Sequence, residues 1–273
     1  MISKDKKMKK DMKFMEDNDI ISPDYSKQLL EINSDSGIIL SDVHSPCYDS
    51  DMMQFAMQIA AKFKVENVFL NGDFMDCGIW SNHGGFDPQD WDNEIHQTEQ
   101  LLNLYRKLFK KCYWILGNHE LRYMRETGYR VKFKHLVRQV GIKENDPWCT
   151  ISENSYMRLQ TSTGLDIMLT HPYGNYSNKP LATAEGISIV EPYSIIVGHE
   201  HHQAITTSPD GTRVIANVGT MIDHRKVAYK TRKHTRHRKW AVGFFLIHRG
   251  IIYPFHKENF LTDREFWLNN VKP

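Results

Sequence analysis

Three apolar runs in the first half of the chain constrain its fold most: "SGIILSDVH" (36–44), "NVFLNGD" (67–73) and "CYWILGNHE" (112–120). Each is short, rich in branched or aromatic residues, and empties into a polar cluster, as a buried strand does where it meets a loop. Between them lie two longer segments of helical period. "SDMMQFAMQIAAKFK" places Phe55, Ile59, Ala60 and Phe63 on one face with Ser50 or Asp51 as the expected N-cap, and "DNEIHQTEQLLNLYRKLFKK" follows the second run. Strand, helix, strand, helix, strand predicts a largely parallel sheet covered by helices, and the carboxyl ends of such strands are where sites are built.

The second half reads differently. "YMRLQTS" and "LDIMLTHP" predict a hairpin turning at 162–164, a helix is expected over about 181–191, and "SIIVGHEHH", "RVIANVGT", "KWAVGFFLIHRG" and "IIYPFHK" read as strands on short connections. These predict a second, more antiparallel sheet facing the first. With 273 residues and 40% hydrophobic content the chain suffices for one large domain, expected over 37–273. Residues 1–36 are polar and charged, with helical potential in the Lys-rich start and in "SPDYSKQLLEI", and are expected to form an N-terminal extension.

Four scattered cysteines without a CxxC pair fit a reducing compartment. The basic N-terminus lacks the apolar stretch of a signal peptide, and no apolar run is long enough to span a bilayer, so a cytoplasmic protein without membrane partners is expected. The net charge of +2 hides a polarity. Eight of the 35 Lys and Arg, and none of the 33 Asp and Glu, lie in 224–239, leaving 27 bases against 33 acids elsewhere. Such a strip is a local positive field, and nucleic acid is its natural partner.

The polar clusters at the strand ends share a chemistry. Asp42 and His44, Asp73 and Asp76, Asn118 and His119, His171, and His199 and His201 follow five separate apolar runs. Carboxylate, amide and imidazole together suit Mn²⁺, Fe, Zn²⁺ or Co²⁺ better than a thiolate site or an all-oxygen calcium cage. These groups exceed the needs of one ion, and two ions sharing a carboxylate would use them.

These ordered blocks, Asp42-Val43-His44, Gly72 to Asp76, Gly117 to Glu120, His171, and Gly198 to His201, resemble the calcineurin-like metallophosphoesterases, and the resemblance covers 37 to about 220. It implies an α/β fold, a four-layer α/β/β/α sandwich of two mixed sheets. It also implies two divalent ions, manganese foremost, and no organic cofactor. Asp42, His44 and His201 would hold one ion, Asn118, His171 and His199 the other, with Asp73 between them; His202, adjacent to His201, is the alternative for the last position. His119 would stand beside the scissile phosphate as a general acid or charge stabiliser, and Asp76 would orient an imidazole or support the metal loop. "ANVGT", with Asn217, Gly219 and Thr220, resembles the turn that closes the fold after the last ligand. Two ions about 3.5 to 4 Å apart lower the pKa of a bridging water and clamp phosphoryl oxygens, so attack by a metal-bridging hydroxide is the implied reaction.

The basic strip directs the expectation to phosphodiesters, in DNA or RNA, and to a nuclease. A phosphomonoesterase, a protein phosphatase or a cyclic-nucleotide phosphodiesterase would use the same ions, and a scaffold without catalysis would show broken ligand blocks, which this chain does not. Trp80, Asn82 and His83 after the bridging aspartate, Tyr173 after His171, and Arg232, Lys233, Arg236 and Arg238 in the strip are the candidate substrate contacts. Cys47 and Cys77 flank the metal loops but read as small buried hydrophobes.

Overall fold

The computed structural model describes residues 29–80, 91–174, 176–227 and 240–273. The apolar runs form the parallel centre of one six-stranded sheet: β2 (Ser36–Leu40), β3 (Asn67–Asn71), β4 (Lys111–Ile115) and β5 (Cys149–Ser152). Two antiparallel strands, β11 (Gly243–His248) and β12 (Ile251–His256), complete it in the order β12-β11-β2-β3-β4-β5. The second sheet runs β1 (Glu31–Asn33), β6 (Tyr156–Gln160), β7 (Asp166–Thr170), β8 (Ser194–Val197), β10 (Val214–Val218) and β9 (Gln203–Thr207).

The two-residue period of a strand divides the apolar residues between layers. Ile38 and Leu40, Val68 and Leu70, and Phe244 and Leu246 join the core beneath the helices, whereas Ile39, Phe69, Phe245 and Ile247 point into the layer between the sheets. There they meet Met157, Leu159, Ile167, Leu169 and Ile196 of the second sheet. On the helical side lie α1 (Ser50–Phe63), α2 (Trp91–Leu108), α3 (Asn118–Glu126) and α4 (Phe133–Gln139). The outer face of the second sheet is covered by α5 (Ala182–Val190), where Ala184 packs with Ile195, Val197 and Ile215. The four-layer α/β/β/α sandwich is therefore the fold, set by which face of each strand is apolar. No helix of the described residues is long and apolar enough to cross a membrane.

The structure differs from the sequence reading in several places. β11 and β12, expected in the second sheet, instead extend the first by antiparallel pairing beside β2, and the second sheet, expected to be more antiparallel, has three parallel pairings and two antiparallel ones. The cap of α1 is Asp49, one residue earlier than expected, whose side chain accepts from the Met52 N–H at 3.2 Å. The third run stops at Ile115, and Asn118 already begins α3. Glu31 and Ile32, assigned helical potential with the stretch before them, instead form an edge strand parallel to β6. β1 and β5 are short strands whose backbone bonds come from distant neighbours, and β9 is a polar edge strand paired with β10, so local apolar pattern does not announce them.

Gly37 leaves room for a ring across the inter-sheet layer: a Cβ there would stand 2.2 Å from the Phe69 ring. Gly37→Ala is expected to destabilise the protein by about 1–3 kcal/mol, as overpacking does. In urea unfolding, Gly37→Ala combined with Phe69→Leu should cost less than the two single changes added. Strict additivity would show that the contact does not limit the packing.

Candidate metal centre

The strand ends deliver side chains inward through sharply kinked backbone. Asp42, His44, Asp73, His199 and His201 all have positive φ, between 47° and 74°. Left-handed conformations cost residues with a Cβ roughly 1–2 kcal/mol each, so five at one place mark a locale where surrounding contacts hold the backbone against its preference. Those contacts are visible. The Asp42 N–H donates to Gly72 O at 3.2 Å, the His44 N–H to Asp73 O at 3.0 Å, and the Met221 N–H to Asp42 O at 3.1 Å. Two glycines of the motif are required by space: a Cβ on Gly72, at φ +77°, would stand 2.5 Å from the His171 ring, and one on Gly117 2.1 Å from the Asp73 nitrogen.

The side chains converge in three groups whose ligand atoms lie within 4.8 Å of one another: Asp42, His44 and His201; Asp73, His171 and His199; and His44, Asp76 and His119. His201 Nε2 lies 3.0 Å from Asp42 Oδ1. Asp73 Oδ2 lies at the middle, 3.1 Å from His171 Nε2 and 3.8 Å from the Nε2 atoms of both His44 and His119. Asn118 Oδ1 is 3.2 Å from His171 Nε2. His202, although buried, belongs to none of these groups, so of the two neighbours His201 is the one that reaches the cluster. Cys47 and Cys77 are buried thiols outside the three groups.

The imidazoles are oriented as ligands are. His44 donates through Nδ1 to Asp76 Oδ1 at 2.8 Å, and His171 through Nδ1 to Asn71 O at 2.9 Å, which turns each Nε2 lone pair toward the cluster. His44 Nε2 is buried and makes no hydrogen bond, and it stands 4.0 Å from Asp42 Oδ1, whose near neighbour is His201 Nε2. Buried polar atoms are almost always satisfied, so an unpartnered nitrogen beside a buried carboxylate oxygen fits a cation. Titration behaviour follows from this crowding. Burial and the neighbouring His119 push His44 down to about 4, and burial with the neighbouring His171 does the same for His199. Burial also opposes the charge on His171, but the Asp73 and Asp42 carboxylates outweigh it and draw that group up to about 10.

His119 completes the third group with His44 and Asp76. Its Nδ1 donates to the Asp76 carbonyl oxygen at 2.6 Å, its backbone N–H donates to Asp73 Oδ1 at 2.7 Å, and its ring stands edge-on to His44 with centroids 4.1 Å apart. Burial again disfavours the charged form, yet Asp73 and Asp76 raise its pKa above the ordinary value.

Two buried acids that the sequence reading passed over hold this arrangement. Glu120 accepts from the N–H groups of Gly117, Asp73, Phe74 and Met75 at 3.0, 3.1, 2.7 and 3.0 Å, so it caps α3 and fastens the metal loop after β3 at once. Burial and the nearby Asp73 push its carboxyl up to about 7, while the N–H donors pull the other way. Glu200, inside "GHEHH", accepts from Asn217 Nδ2 at 2.9 Å and the Ser177 N–H at 2.7 Å. Thr220 of the same closing turn donates through Oγ1 to Asp42 O at 2.8 Å. The one signal for Glu120 in the sequence is its place three residues after Gly117, where an acid can cap a helix.

The candidate substrate residues separate. Trp80 packs edge-on against Trp91 and Tyr123 at centroid distances of 6.0 and 5.5 Å, in an aromatic cluster on the helical side. Tyr173 is 39% exposed, two residues beyond His171. Tyr176 and Trp240 come closer to the cluster: their rings stand edge-on to His199 at 6.1 Å and to His201 at 4.4 Å. Asn82, His83, Arg232, Lys233, Arg236 and Arg238 lie outside the described residues.

Glu120→Ala is expected to remove at least about 3 kcal/mol of stability, because four buried N–H groups lose their acceptor at roughly 1–3 kcal/mol each. Glu120→Gln, which keeps one acceptor oxygen, should lose less. Denaturant unfolding of both variants checks the order, and equal stability would show that the loop holds itself.

Comparison with known proteins agrees with this geometry. Among curated proteins, none is similar enough to count as a relative. Solved structures similar to this chain include a single mutant of Vps29 from Entamoeba histolytica, 13% identical with a TM-score of 0.40, matched over 81% of this chain and 97% of that one. The nuclease MPE of Pseudomonas putida is 11% identical with a TM-score of 0.34, over 80% and 87%. A dimetal phosphatase from Danio rerio is 9% identical with a TM-score of 0.39, over 81% and 98%. All three are too distant to bear on substrate. The family model for calcineurin-like phosphoesterases matches residues 38–203, the span that carries every one of the converging side chains, and the chain belongs to that family.

Proposed function

We propose that the protein is a phosphodiesterase dependent on two divalent ions and acting on nucleic acid. Asp42, His44 and His201 would hold one ion, Asn118, His171 and His199 the other, and Asp73, whose Oδ2 faces His44 and His171, would serve both. Manganese suits this donor set best, with iron, zinc or cobalt as substitutes. When bound, the ions supply the Lewis acidity that activates water at neutral pH and offsets charge on the phosphoryl oxygens.

The protein's own residues do the rest. His119, with its Nδ1 proton committed to the Asp76 carbonyl, presents Nε2 toward Asp73, the position from which a proton is given to the departing oxygen. Asp76 sets two imidazoles at once, His44 through its carboxylate and His119 through its carbonyl. Burial of the cluster keeps bulk water from weakening these charges.

The contact between Trp240 and His201, centroids 4.4 Å apart, carries the choice of substrate. Trp240 follows directly on the basic strip, and Val227, near the strip's start, packs with Cys47, Ile222 and Trp240. The strip therefore leaves and rejoins the described fold at the rim of the ligand cluster, which supports a polyanionic substrate over a small monoester.

With Mn²⁺, purified protein is expected to cleave DNA and bis(p-nitrophenyl) phosphate, and Asp73→Asn to abolish both. His119→Ala should lower turnover by about two to four orders of magnitude with metal content near wild type, as loss of a general acid does. Turnover of p-nitrophenyl phosphate with DNA and the diester intact would give the site to a phosphomonoesterase instead. Changing Arg232, Lys233, Arg236 and Arg238 together to Ala should weaken DNA binding and flatten its dependence on salt concentration. Unchanged affinity would remove the strip from binding.

A further inference from the structure

Arg122 lies three residues after His119 on the same face of α3. Its Nη1 stands 3.1 Å from His119 Nδ1, the nitrogen that is also 2.6 Å from the Asp76 carbonyl oxygen. A carbonyl oxygen only accepts, so Nδ1 carries the proton and donates to it. A nitrogen that donates cannot accept, and the guanidinium faces the imidazole donor to donor. Among the described residues no carboxylate, carbonyl or hydroxyl takes a hydrogen bond from Arg122. Arg106, Arg158 and Arg225 differ: each is engaged by a carboxylate, from Asp146 at 2.8 Å, Asp166 at 2.6 Å and Asp223 at 2.8 Å.

A half-buried guanidinium with its fork of N–H donors uncommitted is built for an anion from outside the protein. Its place says which anion. The His119 ring separates it from the ligand cluster: Nε2 faces Asp73 Oδ2, and Nδ1, on the other side of the ring, faces Arg122. The scissile phosphoryl group belongs on the Asp73 side. Beyond His119, which meets the departing oxygen, lies the fragment that leaves. In a polynucleotide that fragment carries the next phosphate of the backbone.

We propose that Arg122 holds the phosphate adjacent to the scissile one on the leaving side of a polynucleotide substrate, and so determines specificity for chains over isolated diesters. The assignment rests on the phosphodiesterase reading above. It predicts that a phosphate on the leaving fragment raises kcat/KM by roughly tenfold to a hundredfold, the span of a hydrogen bond to a charged group.

The experiment uses the full chain with Mn²⁺ and three substrates: a thymidine dinucleotide, the same dinucleotide with an added phosphate at its 5′ end, and the same with one at its 3′ end. Wild type should prefer one of the phosphorylated forms by that factor. Arg122→Ala should bring the ratio of phosphorylated to plain substrate close to one, and Arg122→Lys, which keeps charge but loses the fork, should retain part of it. Because the readout is a ratio within each variant, a general loss of activity or stability leaves it unmoved. A preference that survives in both variants overturns the Arg122 assignment alone, as does a wild-type enzyme that cleaves the three equally. Wild-type protein that hydrolyses p-nitrophenyl phosphate but none of the dinucleotides overturns the phosphodiesterase reading and the assignment with it.

Discussion

Everything in this molecule answers to one electrostatic constraint: three aspartates and five imidazoles share a small buried volume at the edge of two sheets. Burying charge is unfavourable unless it is paired or coordinated, and here Asp42, Asp73, His44, His119 and His171 are all nearly inaccessible to solvent. Such a cluster persists only if the backbone that carries it cannot relax. The parallel sheet supplies that rigidity, with its apolar alternation locking strands between two layers, and the left-handed turns at Asp42, Asp73 and His199 are held by hydrogen bonds to backbone of other strands or to side chains of the site itself. Glu120 is the plainest instance, a carboxylate whose partners are all backbone N–H groups of the loops that present the ligands.

Much of this was legible in the sequence because both signals are local. An apolar run ending in Asp, His or Asn is visible without knowing where the chain goes, and the order of five such endings points to one site. What was not legible depended on partners far along the chain. Glu31 to Asn33 became a strand because β6, more than a hundred residues later, offered an edge. Asn118 looked like the end of a strand and is also the start of a helix, since one short motif serves both as ligand loop and as helix entry. Glu200 looked like part of a metal-binding run, yet it faces Asn217 and the segment before α5, because the kinked backbone sends alternate side chains of "GHEHH" in different directions.

The charge distribution also gains a meaning from the fold. Some surface arginines are matched to carboxylates, as Arg158 is to Glu31 and Asp166 and Arg106 to Asp146, and these pairs neutralise themselves. Arg122, beside His119, has no carboxylate partner among the described residues, and by sequence the run 224–239 gathers eight bases and no acid. The protein's weak overall charge therefore says little about how its charge is distributed.

Asp76 couples two tasks that could have been separate. Its carboxylate fixes His44, and its carbonyl fixes His119. The two imidazoles are thus parts of one rigid lever whose fulcrum is a single residue. A displacement of the loop that carries Asp76 would move both imidazoles in the same stroke, so neither ring can shift without dragging the other along.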